Sequence, residues 1–250
     1  MESSLAALVE RSEPHLIAVT GDLTHRGRRR EHELAATLLR GLGRPLLVVP
    51  GNHDIPHTFP ARFTRPWAEF ERQRETVEPV HRSDHLVVVG LNSVRPWRHQ
   101  SGGLRRTQLE RTAELLAASP PGALRVVALH HHLIGAPWRS RKRPVSRRSH
   151  VLAALVDAGA ELILAGHIHQ AAVSERHEFE VDRGGLRGAT VSVAPGLGRP
   201  RPNRRGEARG LHLYEATDAS LTVETYVWRG NDCSLNAVRR FPRGLAPLGS

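Results

Sequence analysis

The protein has 250 residues, 39% of them hydrophobic and 24% charged, a length that suits one α/β domain with a sizeable core. Its single cysteine excludes an intramolecular disulfide, and no apolar run reaches the roughly 18 residues of a membrane-spanning helix, so we expect a cytoplasmic protein. The net charge of +11 is compatible with nucleic acid, but aromatic residues for base stacking are only 4% of the chain, so this partner is not favoured.

Strands and helices are predicted to alternate along the first two thirds of the chain. Apolar runs predict strands at His15–Thr20, Pro45–Val49, His85–Gly90, Leu124–Leu129 and Glu161–Ala165. Amphipathic spacing predicts helices at Ser4–Glu10, Arg28–Leu42, Phe59–Glu75, Thr107–Ala118 and Ser149–Ala158.

After Gly166 the pattern changes to strand-like runs without helical crossovers, which we expect to be antiparallel. These runs are Thr190–Val193, Gly210–Glu215 and Leu221–Trp228, with a loop predicted at Gly196–Arg209. The residues 230–250 are expected to form a loosely attached C-terminal tail. Strand–helix alternation followed by hairpins predicts an α/β fold, a two-sheet β-sandwich flanked by helices.

Four short motifs directly follow predicted strands: GDLT (21–24), GNHD (51–54), LHHH (129–132) and GHIH (166–169). Ligands of open α/β sheets collect at the carboxyl ends of strands, so these motifs are expected to meet. They offer one carboxylate, one amide and several imidazoles, the ligand set of a dinuclear metal site for phosphoester hydrolysis. Such a set suits Mn²⁺, Fe or Zn²⁺ better than Ca²⁺.

Each motif alone also has an ordinary structural interpretation. A GD pair after a strand is usually a turn, and Asn-His-Asp is compatible with a polar loop. On an extended segment His167 and His169 point the same way, while Ile168 points into the core. The four motifs together, on four different strands, favour the metal site.

The order and spacing of the motifs resemble the calcineurin-like metallophosphoesterase family, most of all the branch that includes cyclic-nucleotide phosphodiesterases. The resemblance implies two divalent metal ions, Mn, Fe or Zn. It also implies hydrolysis of cyclic nucleotides or other small phosphodiesters by a metal-bridging hydroxide.

The resemblance also implies roles for individual residues, beginning with Asp22 as the carboxylate that bridges the two metals. Asn52, His130 and His167 match ligands of the second metal, and His169 matches a ligand of the first.

His53 matches the catalytic imidazole that faces the substrate and protonates the leaving alkoxide without binding metal. Asp54 is expected to orient His53 or to cap the loop. Asn92 and His131 are expected near the substrate, and His132 stands where similar proteins often carry proline.

The family's opening Asp-x-His motif, which supplies two ligands of the first metal, does not occur in Met1–Thr20. We therefore interpret residues 1–229 as an N-terminally incomplete phosphoesterase domain without its first strand; a real loss of the first metal is the alternative. The 250-residue chain is accordingly expected to bind at most one metal tightly and to have little activity.

Two other functions remain open. The basic segment Arg139–Arg148 leaves the same end of the sheet as the metal ligands, where it could draw in phosphate groups or nucleic acid, or be a solvated loop. A nuclease of the same fold is therefore one alternative, and a non-catalytic scaffold with a residual single-metal site is the other.

Overall fold

The computed structural model describes residues 2–135, 142–176, 188–198, 207–230 and 232–243. The first half of the fold comprises α1 (Glu2–Ser12), β1 (Ile17–Val19), α2 (Arg29–Arg40), β2 (Leu46–Val48), α3 (Ala61–Thr64), α4 (Ala68–Glu71), β3 (Val80–Arg82), β4 (Leu86–Leu91) and α5 (Arg106–Ala117). It continues with β5 (Leu124–Leu129), α6 (Arg148–Asp157), β6 (Leu162–Ala165), β7 (Ala172–Arg176), β8 (Ala189–Val193), β9 (Gly210–Ala216), β10 (Ser220–Arg229) and β11 (Asp232–Pro242).

The strands form three sheets. The largest has six strands in the order β3-β4-β5-β6-β8-β7, in which β4, β5, β6 and β8 run parallel and the two edge strands run antiparallel to their neighbours. Strands β1 and β2 pair in parallel, and β9, β10 and β11 form an antiparallel sheet. The predicted site residues follow the carboxyl ends of parallel strands.

Apolar side chains fill both faces of the six-stranded sheet. One face packs on α5 and α6 through a cluster that includes Leu116, Leu129, Leu155 and Ile163. The opposite face packs on β10 through residues such as Val126, Leu164, Leu221 and Val223. The predicted two-sheet sandwich flanked by helices is therefore confirmed. No helix in the described part of the chain is both long and apolar enough to cross a membrane.

Several predicted elements differ from the structure. The single helix predicted over Phe59–Glu75 is wrong, because α3 and α4 are separate short helices on either side of Pro66, a residue that disfavours helical backbone in its predecessor. The short edge strands β3 and β7 were not predicted. Strand β8 is parallel to β6, so the prediction of antiparallel pairing after Gly166 holds only for β7 with β8 and for β9 to β11.

The prediction of a loose tail from residue 230 is also wrong for most of that segment. Strand β11 pairs along its length with β10, from Arg229 with Asp232 to Ser220 with Pro242. All of its side chains are exposed or half-buried, so the sequence there lacks the apolar alternation from which strands are recognised. Residues 244–250 of the predicted tail, and most of the predicted Gly196–Arg209 loop, lie outside the described residues.

A polar group lies between the two larger sheets and predicts a pH dependence of stability. His212 Nδ1 is 2.8 Å from Ser192 Oγ, and the Tyr214 hydroxyl donates to the same oxygen at 2.8 Å. Burial lowers the pKa of His212 to about 4. The unfolded chain therefore takes up a proton at His212 as the pH falls below about 6.5, whereas the folded chain does not.

Between pH 7 and pH 4 this difference is expected to lower the free energy of unfolding by about 3 kcal/mol. His212→Gln should flatten this pH dependence, and His85→Gln, at an exposed position, should leave it unchanged. Urea unfolding at several pH values measures the slope, and equal slopes for the wild type and His212→Gln would contradict the assignment.

Candidate metal centre

The predicted ligands follow the carboxyl ends of four strands. Asp22 comes after β1 and Asn52 after β2, while His130 and His167 come after the adjacent strands β5 and β6. All four are brought together at one end of the fold.

His130 is at the centre of this group. Its Nδ1 lies 2.7 Å from the carbonyl oxygen of Thr20, which can only accept, so Nδ1 carries the proton and Nε2 presents a lone pair. That Nε2 lies 3.1 Å from Asn52 Oδ1, 3.0 Å from His167 Nδ1 and 3.4 Å from Asp22 Oδ1. The side chain is 1% exposed, and burial lowers the pKa of His130 and favours the neutral ring, although the neighbouring Asp22 opposes this shift.

The other groups around this point are also acceptors. Asn52 Nδ2 donates to the carbonyl oxygen of His99 at 3.1 Å, which turns Oδ1 toward His130. Burial favours the neutral form of Asp22, but His130, His53 and the backbone N–H of His53 outweigh it and lower the pKa of this carboxyl. In the neutral ring, the lone pair of His130 Nε2 faces the amide oxygen of Asn52 at 3.1 Å and a carboxylate oxygen of Asp22 at 3.4 Å, an arrangement of acceptors that a shared cation stabilises. This donor set fits a divalent transition metal ion.

Two glycines allow the loops to approach this closely. Gly21 has a φ of 85°, and a Cβ there would lie 2.4 Å from the backbone nitrogen of Gly51. A Cβ on Gly51 would in turn lie 2.2 Å from the backbone nitrogen of Asp22. The glycine of each motif is therefore required by backbone contact between the two loops.

His53 lies beside the four predicted ligands Asp22, Asn52, His130 and His167, which we call the ligand group. Its backbone N–H donates to Asp22 Oδ1 at 3.0 Å, and its Nδ1 donates to the carbonyl oxygen of His25 at 2.9 Å. The second hydrogen bond fixes the tautomer and leaves Nε2 for another partner. The half-buried ring stacks on His25 with a centroid distance of 6.0 Å.

Asp54 ties the two loops together through hydrogen bonds to their backbones. Its two carboxylate oxygens accept the backbone N–H groups of Thr24, at 2.9 Å, and of Gly51, at 2.8 Å. Burial, followed by repulsion from Asp22, raises the pKa of Asp54 to about 7 although both hydrogen bonds favour the ionised form. Of the two roles considered for Asp54, this geometry favours the cap of the loop.

His131 lies deeper in the ligand group than expected for a residue near the substrate. Ligand atoms of His130, His131 and His167 all lie within 4.8 Å of one another. His131 Nδ1 is 2.9 Å from Ser93 Oγ, and its buried Nε2 has no hydrogen-bond partner among the described residues. Burial and the neighbouring His130 and His132 hold its pKa well below the usual range.

The side chain of Asn92 forms a hydrogen bond with the neighbouring backbone. Its Oδ1 accepts the backbone N–H of Val94 at 3.0 Å, a turn that places Ser93 against His131. The sequence predicted Asn92 near the substrate but gave no indication of Ser93, although the two residues are neighbours in the chain.

The GHIH segment is a turn and not the extended segment that was predicted. His167 and His169 have φ values of 72° and 58°, in the left-handed region that residues with a Cβ rarely adopt. Ile168 between them is 1% exposed and belongs to the core, as predicted. Asp22 shares the unusual conformation with a φ of 57°, so backbone strain collects at this site.

His169 is half-buried beside this turn, and its role as a ligand of a first metal stays a prediction. In the basic segment, residues 139–141 lie outside the described residues. The described part joins the site through the N–H of Val145, which donates to the carbonyl oxygen of His132 at 3.1 Å.

Arg62, which sequence reasoning missed, connects the loop of His53 with the loop of His99. It is only 2% exposed, and its guanidinium donates to the carbonyl oxygens of Pro96, at 2.6 Å, Pro56, at 3.1 Å, and Arg98, at 3.4 Å. An arginine within a four-residue helix gives no sequence signal for such a role.

Arg62→Lys is expected to lower the free energy of unfolding by about 2 kcal/mol, because an ammonium cannot span three separate carbonyls. It should also weaken metal binding, since the carbonyl of His99 holds Asn52. Thermal unfolding and metal titration measure both effects. Arg65→Lys, at an exposed position three residues after Arg62, is the control, and equal behaviour of the two variants would contradict the role.

With this geometry in view, comparisons with known proteins identify the class. The family model of calcineurin-like phosphoesterases matches residues 2–171, about two thirds of the chain. The chain belongs to the calcineurin-like phosphoesterase family.

Two curated relatives are similar in sequence. The 3',5'-cyclic adenosine monophosphate phosphodiesterase CpdA of Haemophilus influenzae is 28% identical over 181 residues, which cover 69% of this chain and 61% of the relative. A probable cyclic nucleotide phosphodiesterase of Rhodopseudomonas palustris is 27% identical over 131 residues, 52% of this chain and 47% of the relative. The chain thus matches only about half to three fifths of the length of these proteins.

Solved structures support the fold. A dimetal phosphatase from Danio rerio superposes with a TM-score of 0.64 at 14% identity, over 94% of this chain and 88% of the other. Vacuolar Protein Sorting 29 from Cryptosporidium parvum superposes with a TM-score of 0.50 at 11% identity, over 96% and 89% of the two chains.

Proposed function

We propose that this protein is a metal-dependent phosphodiesterase that acts on cyclic nucleotides or other small phosphodiesters. The observation that carries the proposal is the convergence of Asp22, Asn52, His130 and His167, because donor atoms of the other three residues lie 3.0 to 3.4 Å from His130 Nε2. Family membership and the names of the two curated relatives support the same reaction class.

These four residues would hold one divalent ion, and Asp22 with His169 would contribute to a second. Bound ions would supply Lewis acidity, polarising phosphoryl oxygens and lowering the pKa of a bound water. The number and identity of the ions are part of the proposal.

His53 would transfer the proton to the leaving oxygen. Its Nδ1–H is committed to the carbonyl oxygen of His25, so the proton transferred to the leaving oxygen would be the one on Nε2 of the imidazolium form, and the ring would be left neutral with its proton on Nδ1. The hydrogen bond from the backbone N–H of His53 to Asp22 would hold the imidazole next to the predicted metal ligands. Asp54 would hold both loops in place through its hydrogen bonds to their backbones.

The proposal is tested with bis(p-nitrophenyl) phosphate as the substrate. The little activity expected of the purified chain should appear as slow release of p-nitrophenolate in the presence of Mn²⁺, be lost in excess chelator, and return when Mn²⁺ is restored. Activity that thorough chelation leaves unchanged would refute the metal-dependent mechanism. Retention of metal without turnover would favour the scaffold alternative.

A further inference from the structure

Three exposed aromatic side chains lie near the metal centre: Phe59 just before α3, Phe63 within α3, and Trp97 on the loop after β4. Phe59 is 81% exposed, Phe63 is 54% exposed and Trp97 is 61% exposed. Every other described phenylalanine, tryptophan or tyrosine is buried or half-buried. Because exposed large aromatics are unfavourable in water, three of them on adjoining segments indicate a binding surface.

Arg62 holds the two loops together. It follows Phe59 by three residues and directly precedes Phe63, and its guanidinium bonds the carbonyl oxygens of Pro96 and Arg98, on either side of Trp97. The backbone of Trp97 therefore lies within a side-chain length of α3. We call Phe59, Phe63 and Trp97 the aromatic surface.

The aromatic surface borders the metal centre. The carbonyl oxygen of His99, two residues after Trp97, accepts from Asn52 Nδ2 at 3.1 Å. On the other loop His57, two residues before Phe59, has its ring 5.4 Å from that of His53. Both loops therefore run from the aromatic surface directly to residues of the proposed reaction.

The two segments that carry the aromatic surface have a positive charge. The segments 55–66 and 93–105 contain arginines and histidines but no aspartate or glutamate. Flat aromatic faces among arginines, without carboxylates, suit a ligand that is both aromatic and anionic. Bases stack on such faces with little sequence preference, while the cations attract phosphate.

We propose that the aromatic surface binds the nucleobase of a phosphodiester whose phosphate lies at the metal centre. This inference rests on the proposed function and narrows its substrate class to nucleotides. The base would stack on Trp97 or Phe63, and the loops joined by Arg62 would set the separation between base and phosphate.

Two esters with the same leaving group test the assignment. Thymidine 5'-(p-nitrophenyl phosphate) and methyl p-nitrophenyl phosphate both release p-nitrophenolate, and only the first carries a base. Trp97→Ala and Phe63→Ala are each expected to lower kcat/KM for the thymidine ester by about tenfold, the usual scale for one base–aromatic stack. The methyl ester should be hydrolysed at nearly the wild-type rate.

The controls separate stacking from folding. Leu34→Ala removes an apolar side chain that is 63% exposed on α2, and it should leave kcat/KM unchanged for both esters. Trp97→Phe keeps an aromatic face, so its kcat/KM for the thymidine ester should stay close to that of the wild type. An equal loss on both esters would overturn the inference, because it would report damage to the metal centre.

A binding measurement keeps the result independent of turnover. Thymidine 5'-monophosphate is expected to bind the wild type more tightly than inorganic phosphate, and Trp97→Ala should abolish the difference. If neither ester is hydrolysed but this difference is found, the proposed function fails while the base-binding surface stands.

The affinities for a short single-stranded oligonucleotide and for a cyclic mononucleotide show whether the bound base belongs to a nucleic-acid strand or to a small nucleotide. Tighter binding of the oligonucleotide that depends on Trp97 would indicate a nucleic-acid strand. Nucleotide affinities unchanged by both alanine variants would overturn the inference and assign the surface to a protein partner.

Discussion

His53→Ala is expected to lower kcat about 100-fold or more for a phosphodiester with an alkoxide leaving group, at unchanged metal content. An alkoxide must be protonated as it departs, whereas p-nitrophenolate is stable as an anion. The loss should therefore be much smaller for bis(p-nitrophenyl) phosphate. Steady-state kinetics with both kinds of ester and metal analysis of the purified variant measure these effects.

The control for this substitution is His85→Ala, an exposed histidine in the hairpin between β3 and β4. It should match the wild type on both esters. If His53→Ala strips the metal instead, His53 is a ligand, and the separation of His53 from the ligand group is wrong. A loss of equal size on both esters would argue against proton transfer to the leaving oxygen.

The second large effect is expected from removal of a ligand. Asp22→Ala and His130→Ala should weaken metal binding by more than about 100-fold, since loss of an outer partner of a ligand already costs 10- to 100-fold. Phosphodiesterase activity should fall with the bound metal. Titration of the metal-free proteins with Mn²⁺ measures the affinity, and circular dichroism establishes that the variants are folded.

Asn52 provides a graded comparison. Asn52→Asp replaces the amide oxygen with a carboxylate oxygen but loses the Nδ2 donor to His99, so it should bind metal more weakly than the wild type and better than Asn52→Ala. Equal metal affinity in Asp22→Ala, His130→Ala and the wild type would show that the ion, if one binds, lies elsewhere.

The sequence predicted the ends of the strands well because their apolar runs are short and sharply bounded. The residues directly after β5 and β6 could therefore be placed at one end of the sheet before the structure was known. The sequence did not predict β11, whose exposed side chains lack an apolar pattern, nor the break at Pro66.

The partners of the site residues were much harder to predict. Asp54 bonds the backbone of Thr24, Arg62 bonds only carbonyl oxygens, and Ser93 meets the ring of His131. Each contact joins segments that are distant in the chain, and most of them use backbone atoms, which have no signature in the sequence. Local motifs predict which side chains could bind a metal, whereas the tertiary fold determines the contacts that hold those side chains in place.

The most direct test of the metal centre is the location of a bound ion in crystals of the protein. Crystals soaked in Mn²⁺ and measured at a wavelength where manganese scatters anomalously should give a peak in contact with Asp22, Asn52, His130 and His167. A second peak next to Asp22 and His169 would establish two ions per chain. An anomalous map without a peak at the first four residues would contradict the metal centre and the function proposed from it.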